Sequence, residues 1–219
     1  DFDMLFNLSD NNSIANQFIA ELRDVHVQKD RMRFRRNVER LGQIFAYEIS
    51  KTLHYKDQEC ETPLGVAHMQ VPQERIVVAS ILRAGLPLHN GILSYFDEAD
   101  NAFISAYRMH HKDGTFEINL EYVTCPDLND ATLIICDPML ATGSSFDAAY
   151  KVMLEHGKPK AVHFVSIIAS TNGLNYVKRK YSSINFWLGA VDEELTAKSY
   201  IVPGLGDAGD LLYGAKLQD

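Results

Sequence analysis

The stretch TLIICDPMLATGSS, residues 132–145, decides the fold. Residues 132–137 (TLIICD) read as a short buried strand. Asp137 ends it. The small residues Thr142, Gly143, Ser144 and Ser145 follow, and a helical pattern over 144–156 stops at Gly157. A strand that passes through a short loop into a helix is half of a β-α-β unit. The same rhythm runs outward on both sides. Residues 76–82 (IVVASIL) and 102–107 (AFISAY) read as strands, with a helical stretch to about Phe96 between them. Residues 161–170 and 185–191 read as strands around a helix over about 173–180. This alternation predicts an α/β fold, a parallel sheet with helices on both faces.

Two segments stand apart from that rhythm. Asp113-Gly114 is a hairpin-turn signal, and Phe116, Ile118, Leu120 and Tyr122 alternate with polar residues, which predicts a β-hairpin flap over 108–124. Residues 14–53 read as helical, inside an N-terminal helical arm over 1–55. Phe34, Val38, Leu41 and Phe45 recur there at helical spacing. Arg33, Arg36 and Arg40 lie opposite, and residues 29–40 hold six basic and two acidic side chains. That cluster reads either as a solvated helix face or as an anion site or subunit contact.

At 219 residues the chain is expected to be one domain, 1–219, large enough to bury a core without disulfides or metals. Its 46% hydrophobic and 23% charged content excludes a disordered or fibrous protein. Cys60, Cys125 and Cys136 are far apart with no CxxC, so they suggest neither a disulfide framework nor a zinc finger but thiols in a reducing cytoplasm. A net charge of −8 argues against bulk nucleic-acid binding. No apolar run reaches the roughly 18 residues of a membrane span, and the acidic, polar start of the chain is unlike a secretion or transit signal.

In parallel sheets ligands sit beyond the carboxyl ends of the strands, which directs attention to the residues just after 82, 107, 137, 170 and 191. After 137, backbone N–H groups at a helix start and the hydroxyls of Thr142, Ser144 and Ser145 suit a phosphate. Asp137 suits sugar hydroxyls. Helix capping alone would need one such residue rather than four, and no GxxxxGK[ST] loop is present. After 82, Arg83 places a cation at a strand end. Near the C-terminus, Gly204, Gly206 and Gly209 match GxGxxG, but no β-α unit follows them, so a dinucleotide site is not implied. Flanked by Tyr200-Ile201-Val202-Pro203 and Leu211-Leu212-Tyr213, this loop reads as an anchored backbone platform for the edge of a planar heterocycle. The residues by themselves thus reach a sugar-phosphate cleft in an α/β domain.

Taken in order and spacing, ILRAGL (81–86), YR (107–108), DPMLATGSS (137–145) and YIVPGLGDAGD (200–210) resemble the uracil phosphoribosyltransferases. RFR (33–35) and AYEI (46–49) match more weakly. The resemblance implies a phosphoribosyltransferase-type core and the conversion of uracil and 5-phosphoribosyl-1-diphosphate to UMP and pyrophosphate. It implies Asp137, Arg83 and Asp207 as catalytic residues. Arg83, Arg108, Asp207 and the run Asp137, Pro138, Met139, Leu140, Ala141, Thr142, Gly143, Ser144, Ser145 would bind the donor. Tyr200, Ile201, Gly206, Asp207 and Ala208, within a C-terminal segment 192–219, would bind uracil. Magnesium would be held mainly through the diphosphate, with Asp207 beside it. The resemblance further implies a homodimer or higher homo-oligomer and, as in some members, a GTP effector. Pro138 and Ala141 stand where purine-specific relatives carry acids, which favours a pyrimidine. Ser144 replaces a common Gly, and Met109 to Gly114 depart from the family's acidic stretch. The competing readings are a catalytically weak relative, against which Asp207 argues, and a pyrimidine-responsive RNA-binding regulator, against which Pro138 and the net charge argue.

Overall fold

The inward-facing residues of each expected strand alternate between two cores. Ile76 and Val78 join one apolar cluster while Val77 and Ala79 join another, as a strand buried on both faces requires. The computed structural model describes residues 4–217, apart from the side chains of Tyr107, Arg108 and His110. In chain order the elements are β1 (Leu5–Asn7), α1 (Ala15–Arg23), α2 (Arg31–Ser50), β2 (Tyr55–Thr62), β3 (Gly65–Pro72), β4 (Ile76–Leu82), α3 (Leu86–Leu93), β5 (Asp100–His110), β6 (Phe116–Thr124), β7 (Thr132–Cys136), β8 (Met139–Leu140), α4 (Ser144–Met153), β9 (Ala161–Ser170), α5 (Thr171–Lys180), β10 (Ile184–Asp192), β11 (Glu194–Leu195), β12 (Ile201–Val202) and α6 (Ala208–Tyr213).

The central sheet runs β1-β10-β9-β7-β4-β5-β6, with short β8 added on β9. All of these pairs are parallel except β5 with β6. The chain leaves β4 toward β5 on one side and returns to β7 on the other. The switch point of the sheet, where open α/β folds hold their ligands, is therefore at the ends of β4 and β7. α1, α2, α3 and α6 contribute to the first core and α4 and α5 to the second, so both faces are covered. No helix among the described residues is long and apolar enough to cross a membrane.

Phe34, Val38, Leu41 and Phe45 are buried as expected, and burying each is worth about 2 kcal/mol. The continuous helix expected over 14–53 is instead two. Residues 24–30 break it, and Asp30 caps α2 by accepting a hydrogen bond from Arg33 N at 3.0 Å. Leu5–Asn7 pair with β10, so the N-terminal segment also adds the edge strand β1. The basic cluster is mostly spent inside the chain. Arg33 pairs with Glu21 at 2.6 Å, Arg35 donates to the Leu212 carbonyl at 2.7 Å, and Arg40 lies over Phe18. β2 carries no apolar alternation, and in β3 only Ala67, Met69 and Val71 alternate with His68 and Gln70, too short a run to announce a ribbon by itself. The β2–β3 ribbon pairs only with itself and is exposed along most of its length. β5 runs past the expected end at 107 to His110, and β6 pairs back on it through a bulge at Ser105 and Ala106 to form the flap.

Candidate active site

The first piece of the site is the turn after β4. The Leu82–Arg83 peptide is cis. A Cβ on Gly85 would stand 2.5 Å from the Cys136 carbonyl and 2.8 Å from Ser80 Oγ, so only glycine lets this turn lie on the end of β7. That packing sets Arg83 and Asp137 on neighbouring loops at the switch point. Burial pushes the Cys136 thiol well up, which leaves it a neutral floor under the site.

The second piece is 137–145. Asp137 N donates to Val165 O at 3.2 Å, and the Pro138 carbonyl accepts from Ile167 and Ile168 at 2.9 and 3.0 Å. Pro138 and Leu140 are buried, and Met139 packs against the first core. These three form the floor of the loop, so only their backbone is left to meet a ligand. Thr142 Oγ1 accepts from Ser144 N at 3.2 Å and lies 2.9 Å from Ser144 Oγ. Gly143 has φ +89°, and a Cβ there would press on Tyr176 and Val177 of α5 at 2.8 and 3.0 Å. Ser170 Oγ donates to the Ala141 carbonyl. Helix α5 is thus the back wall of this loop. Thr142, Ser144 and Ser145 stand at the N-terminus of α4, where the first N–H groups have no intrahelical acceptor.

The third piece is 200–210. Asp192, at the end of β10, accepts from Gly204 N at 2.8 Å and forms a two-pronged ion pair with Arg23 at 2.8 and 2.9 Å. Arg23 also donates to the Gly204 carbonyl, and Gln28 donates to the Leu205 carbonyl. Burial would raise the Asp192 pKa, but Arg23 and the Gly204 N–H outweigh it and hold it below its ordinary value. The glycine loop is anchored, as the flanking residues suggested. The side chains of Ile201 and Ala208 are buried, so their contact with a ligand would be through backbone. Asp207 caps α6, its Oδ1 accepting from Asp210 N at 2.9 Å, while Oδ2 lies 3.5 Å from Tyr200 Oη.

Arg83 joins the first piece to the third. Its Nη2 donates to Asp210 Oδ1 at 3.1 Å and to the Gly214 carbonyl at 2.6 Å, and Lys216 Nζ lies 3.6 Å from Asp207 and 3.5 Å from Asp210. The side chain of Arg108 lies outside the described residues; its backbone is on β5, at the root of the flap. Sequence reading passed over Arg23, Gln28, Asp192, Asp210 and Lys216. Asp192 stood just beyond a strand end that the carboxyl-end rule had marked. Asp210 closes the glycine-rich motif itself. Nothing local in Arg23 or Gln28 announced a partner so far along the chain.

A switch-point cleft with a small-residue loop at a helix start, an arginine turn and a β-hairpin is the arrangement of the type I phosphoribosyltransferase fold. A solved hypoxanthine phosphoribosyltransferase of Staphylococcus aureus shares the fold at a TM-score of 0.50, with 12% identity over 74% of this chain and 76% of that one. The uracil phosphoribosyltransferase family model matches residues 9–215. A uracil phosphoribosyltransferase of Porphyromonas gingivalis is 50% identical over 97% of this chain and 99% of its own. One from Methanothermobacter thermautotrophicus is 40% identical over 83% of each chain. The AQ2163 protein of Aquifex aeolicus superposes with a TM-score of 0.86 at 31% identity, over 98% of this chain and 100% of that one. The chain belongs to the uracil phosphoribosyltransferase family, and it is a phosphoribosyltransferase enzyme.

Proposed function

We propose that this cleft joins uracil to the ribose of 5-phosphoribosyl-1-diphosphate, giving UMP and pyrophosphate. The observation that carries the reading is the convergence of the Arg83 turn, the 137–145 loop and the anchored 200–210 loop at the switch point, in a member of this family. Thr142, Ser144, Ser145 and the N-terminus of α4 take the 5-phosphate, and Asp137 takes the ribose hydroxyls. Arg83 takes the diphosphate, and Arg108, whose side chain lies outside the described residues, is assigned to the same donor by the family resemblance alone. Gly206 to Ala208, with Ile201 and Tyr200, present backbone groups and one hydroxyl to the edge of uracil.

Uracil N1 bonds to the anomeric carbon as the bond from that carbon to the diphosphate oxygen breaks. The N1 proton leaves to solvent. Pro138 and Ala141 offer no base, and a relatively acidic N1–H needs none in the loop. Positive charge develops on the ribose, and the Asp137 carboxylate stabilises it electrostatically. The rest of the work is positioning.

Among the described residues no cluster of three metal-ligating side chains exists, and one oxygen of Asp207 already accepts from Asp210 N. Such a donor set fits magnesium held chiefly by diphosphate and water, with Asp207 Oδ2 beside it. When bound, magnesium supplies charge that eases departure of the diphosphate.

A homo-oligomer belongs to the same reading. The self-paired β2–β3 ribbon exposes Tyr55, Leu64, Val66 and Met69, and a two-stranded ribbon standing alone in water is marginally stable. GTP control gains no such support, because Arg33, Arg35 and Arg40 already have partners within the chain.

The test is direct. Protein, uracil, donor and magnesium should yield UMP, and cytosine in place of uracil should react at least about a hundred-fold more slowly, since a mismatched buried polar edge is heavily penalised. No UMP, or equal rates with the two bases, sinks the reading.

A further inference from the structure

Asp147 lies in the first turn of α4, the same turn that the proposed function assigns to the 5-phosphate. Its carboxylate is turned away from the helix end and is nearly buried, at 7% exposure. It accepts hydrogen bonds from Tyr176 Oη at 2.9 Å, Lys180 Nζ at 2.6 Å and Tyr181 Oη, and Lys151 Nζ lies 3.4 Å away. Burial raises its pKa, but Lys180, Tyr181 and Tyr176 outweigh that and hold it at about 2, so it carries a full negative charge at neutral pH.

A carboxylate three residues inside a helix start suits the helix dipole. It does not suit an incoming phosphate dianion, which must approach the same helix end. Two ammonium groups on one carboxylate reverse the local sign. The donors also belong to the wall behind the loop: Tyr176 bears on Gly143, and Ser170, which caps α5, donates its hydroxyl to the Ala141 carbonyl. The cluster therefore touches the phosphate loop twice, once through charge and once through packing. A brace alone would need neither a second lysine nor a carboxylate at this end of α4.

Resting on the assignment of the donor to this loop, we propose that Lys180, assisted by Lys151, is a positioning residue for the phosphoribosyl donor: it masks the charge of Asp147 beneath the phosphate end of α4 while Asp147 and Tyr176 hold the wall against Gly143. Lys180 touches no substrate. It acts through Asp147.

Masking and bracing separate by experiment. Donor affinity is measured by calorimetry without uracil, and donor and uracil KM in the full reaction, at low and high salt. Lys180→Met should weaken donor binding about five-fold at low salt, from an unscreened like charge at about one helical turn, and the loss should shrink in high salt. Uracil KM should move by less than two-fold. Lys180→Arg should keep donor affinity. Lys180→Met combined with Asp147→Asn should recover it, even where the double variant melts lower than either single one. Tyr176→Phe, which keeps the ring and both lysines, should change donor affinity less than Lys180→Met. Unchanged donor affinity in Lys180→Met, or no recovery in the double variant, overturns the proposal while wild-type UMP formation leaves the assigned reaction standing. A wild-type protein that neither binds the donor nor makes UMP overturns both.

Discussion

Residues 137–145 and residues 200–210 sit at the same edge of the sheet but are held in opposite ways. The donor loop is fastened from nearby. Its floor is β8 on β9, and its wall is α5, whose Ser170 and Tyr176 bind Ala141 and Asp147 across 29 positions of chain. The 200–210 loop has one near anchor, Asp192 on Gly204 N across 12 positions, and is otherwise fastened from afar. Arg23 reaches Gly204 across 181 positions, Gln28 reaches Leu205 across 177, and Arg83 reaches Gly214 across 131. A loop set by its own neighbourhood is altered by its own residues and by those packed directly behind it, Tyr176 and Lys180 among them. A loop braced across the chain is tuned by residues that meet no substrate.

The hardest test of the contrast is inside the donor loop. Asp137→Asn should fold with an unchanged melting temperature and lose about 10² to 10³ in kcat, since a charge facing the developing cation goes while shape stays. Wild-type turnover would remove Asp137 from the chemistry. Next comes the remote brace. Arg23→Met leaves Asp192 without its ion pair and the Gly204 carbonyl without its donor, so uracil KM should rise about ten-fold with donor KM within two-fold. Equal changes in both would erase the distinction between the loops. Smaller again is Lys216→Met. Its ion pairs with Asp207 and Asp210 span 3.5–3.6 Å and are partly solvated, so a two- to three-fold rise in uracil KM, about 0.5 kcal/mol, is expected. A ten-fold rise would show that the last turn is a substrate contact.

A change beneath both loops should leave turnover at neutral pH alone. His163, on β9, accepts a hydrogen bond from Trp187 Nε1 at 3.0 Å, and burial lowers its pKa from 6.5 to about 4. Between those values the unfolded chain takes up a proton that the folded one refuses. Stability therefore falls as pH drops from 6.5 toward 4, by up to about 3 kcal/mol. In His163→Gln that part of the slope should vanish from the pH dependence of the melting temperature. An unchanged slope would assign the acid sensitivity to other groups.

Much of this was legible in the chain itself. Residues 76–82 and 161–170 coincide with β4 and β9, because strands buried on both faces are near-continuous apolar runs, here interrupted only by Ser80, His163, Ser166 and Ser170. The glycine-rich and DPMLATGSS segments announced themselves because close backbone approach and a helix start constrain residue type locally. The β2–β3 ribbon stayed hidden, since the polar β2 has no apolar alternation and the short alternation Ala67, Met69, Val71 of β3 stands without a matching run beside it. The break at 24–30 was hidden by periodicity on either side of it. Arg23 and Gln28 carried no signal, for an arginine on a helix end reads the same whether it meets water or a carboxylate from β10.

The reach from residue 23 to residue 204 also sets an order of events during synthesis. The sheet can pair its central strands as they emerge, since β4, β5, β7 and β9 follow one another closely. The 200–210 loop cannot take its shape until Gly204 and Leu205 have emerged and met side chains made about 180 positions earlier. Contacts of such separation are among the slowest to close. The nascent chain thus acquires the 137–145 loop before the 200–210 loop, and a chain stopped between residues 192 and 204 carries Arg23 and Asp192 but not the loop they hold.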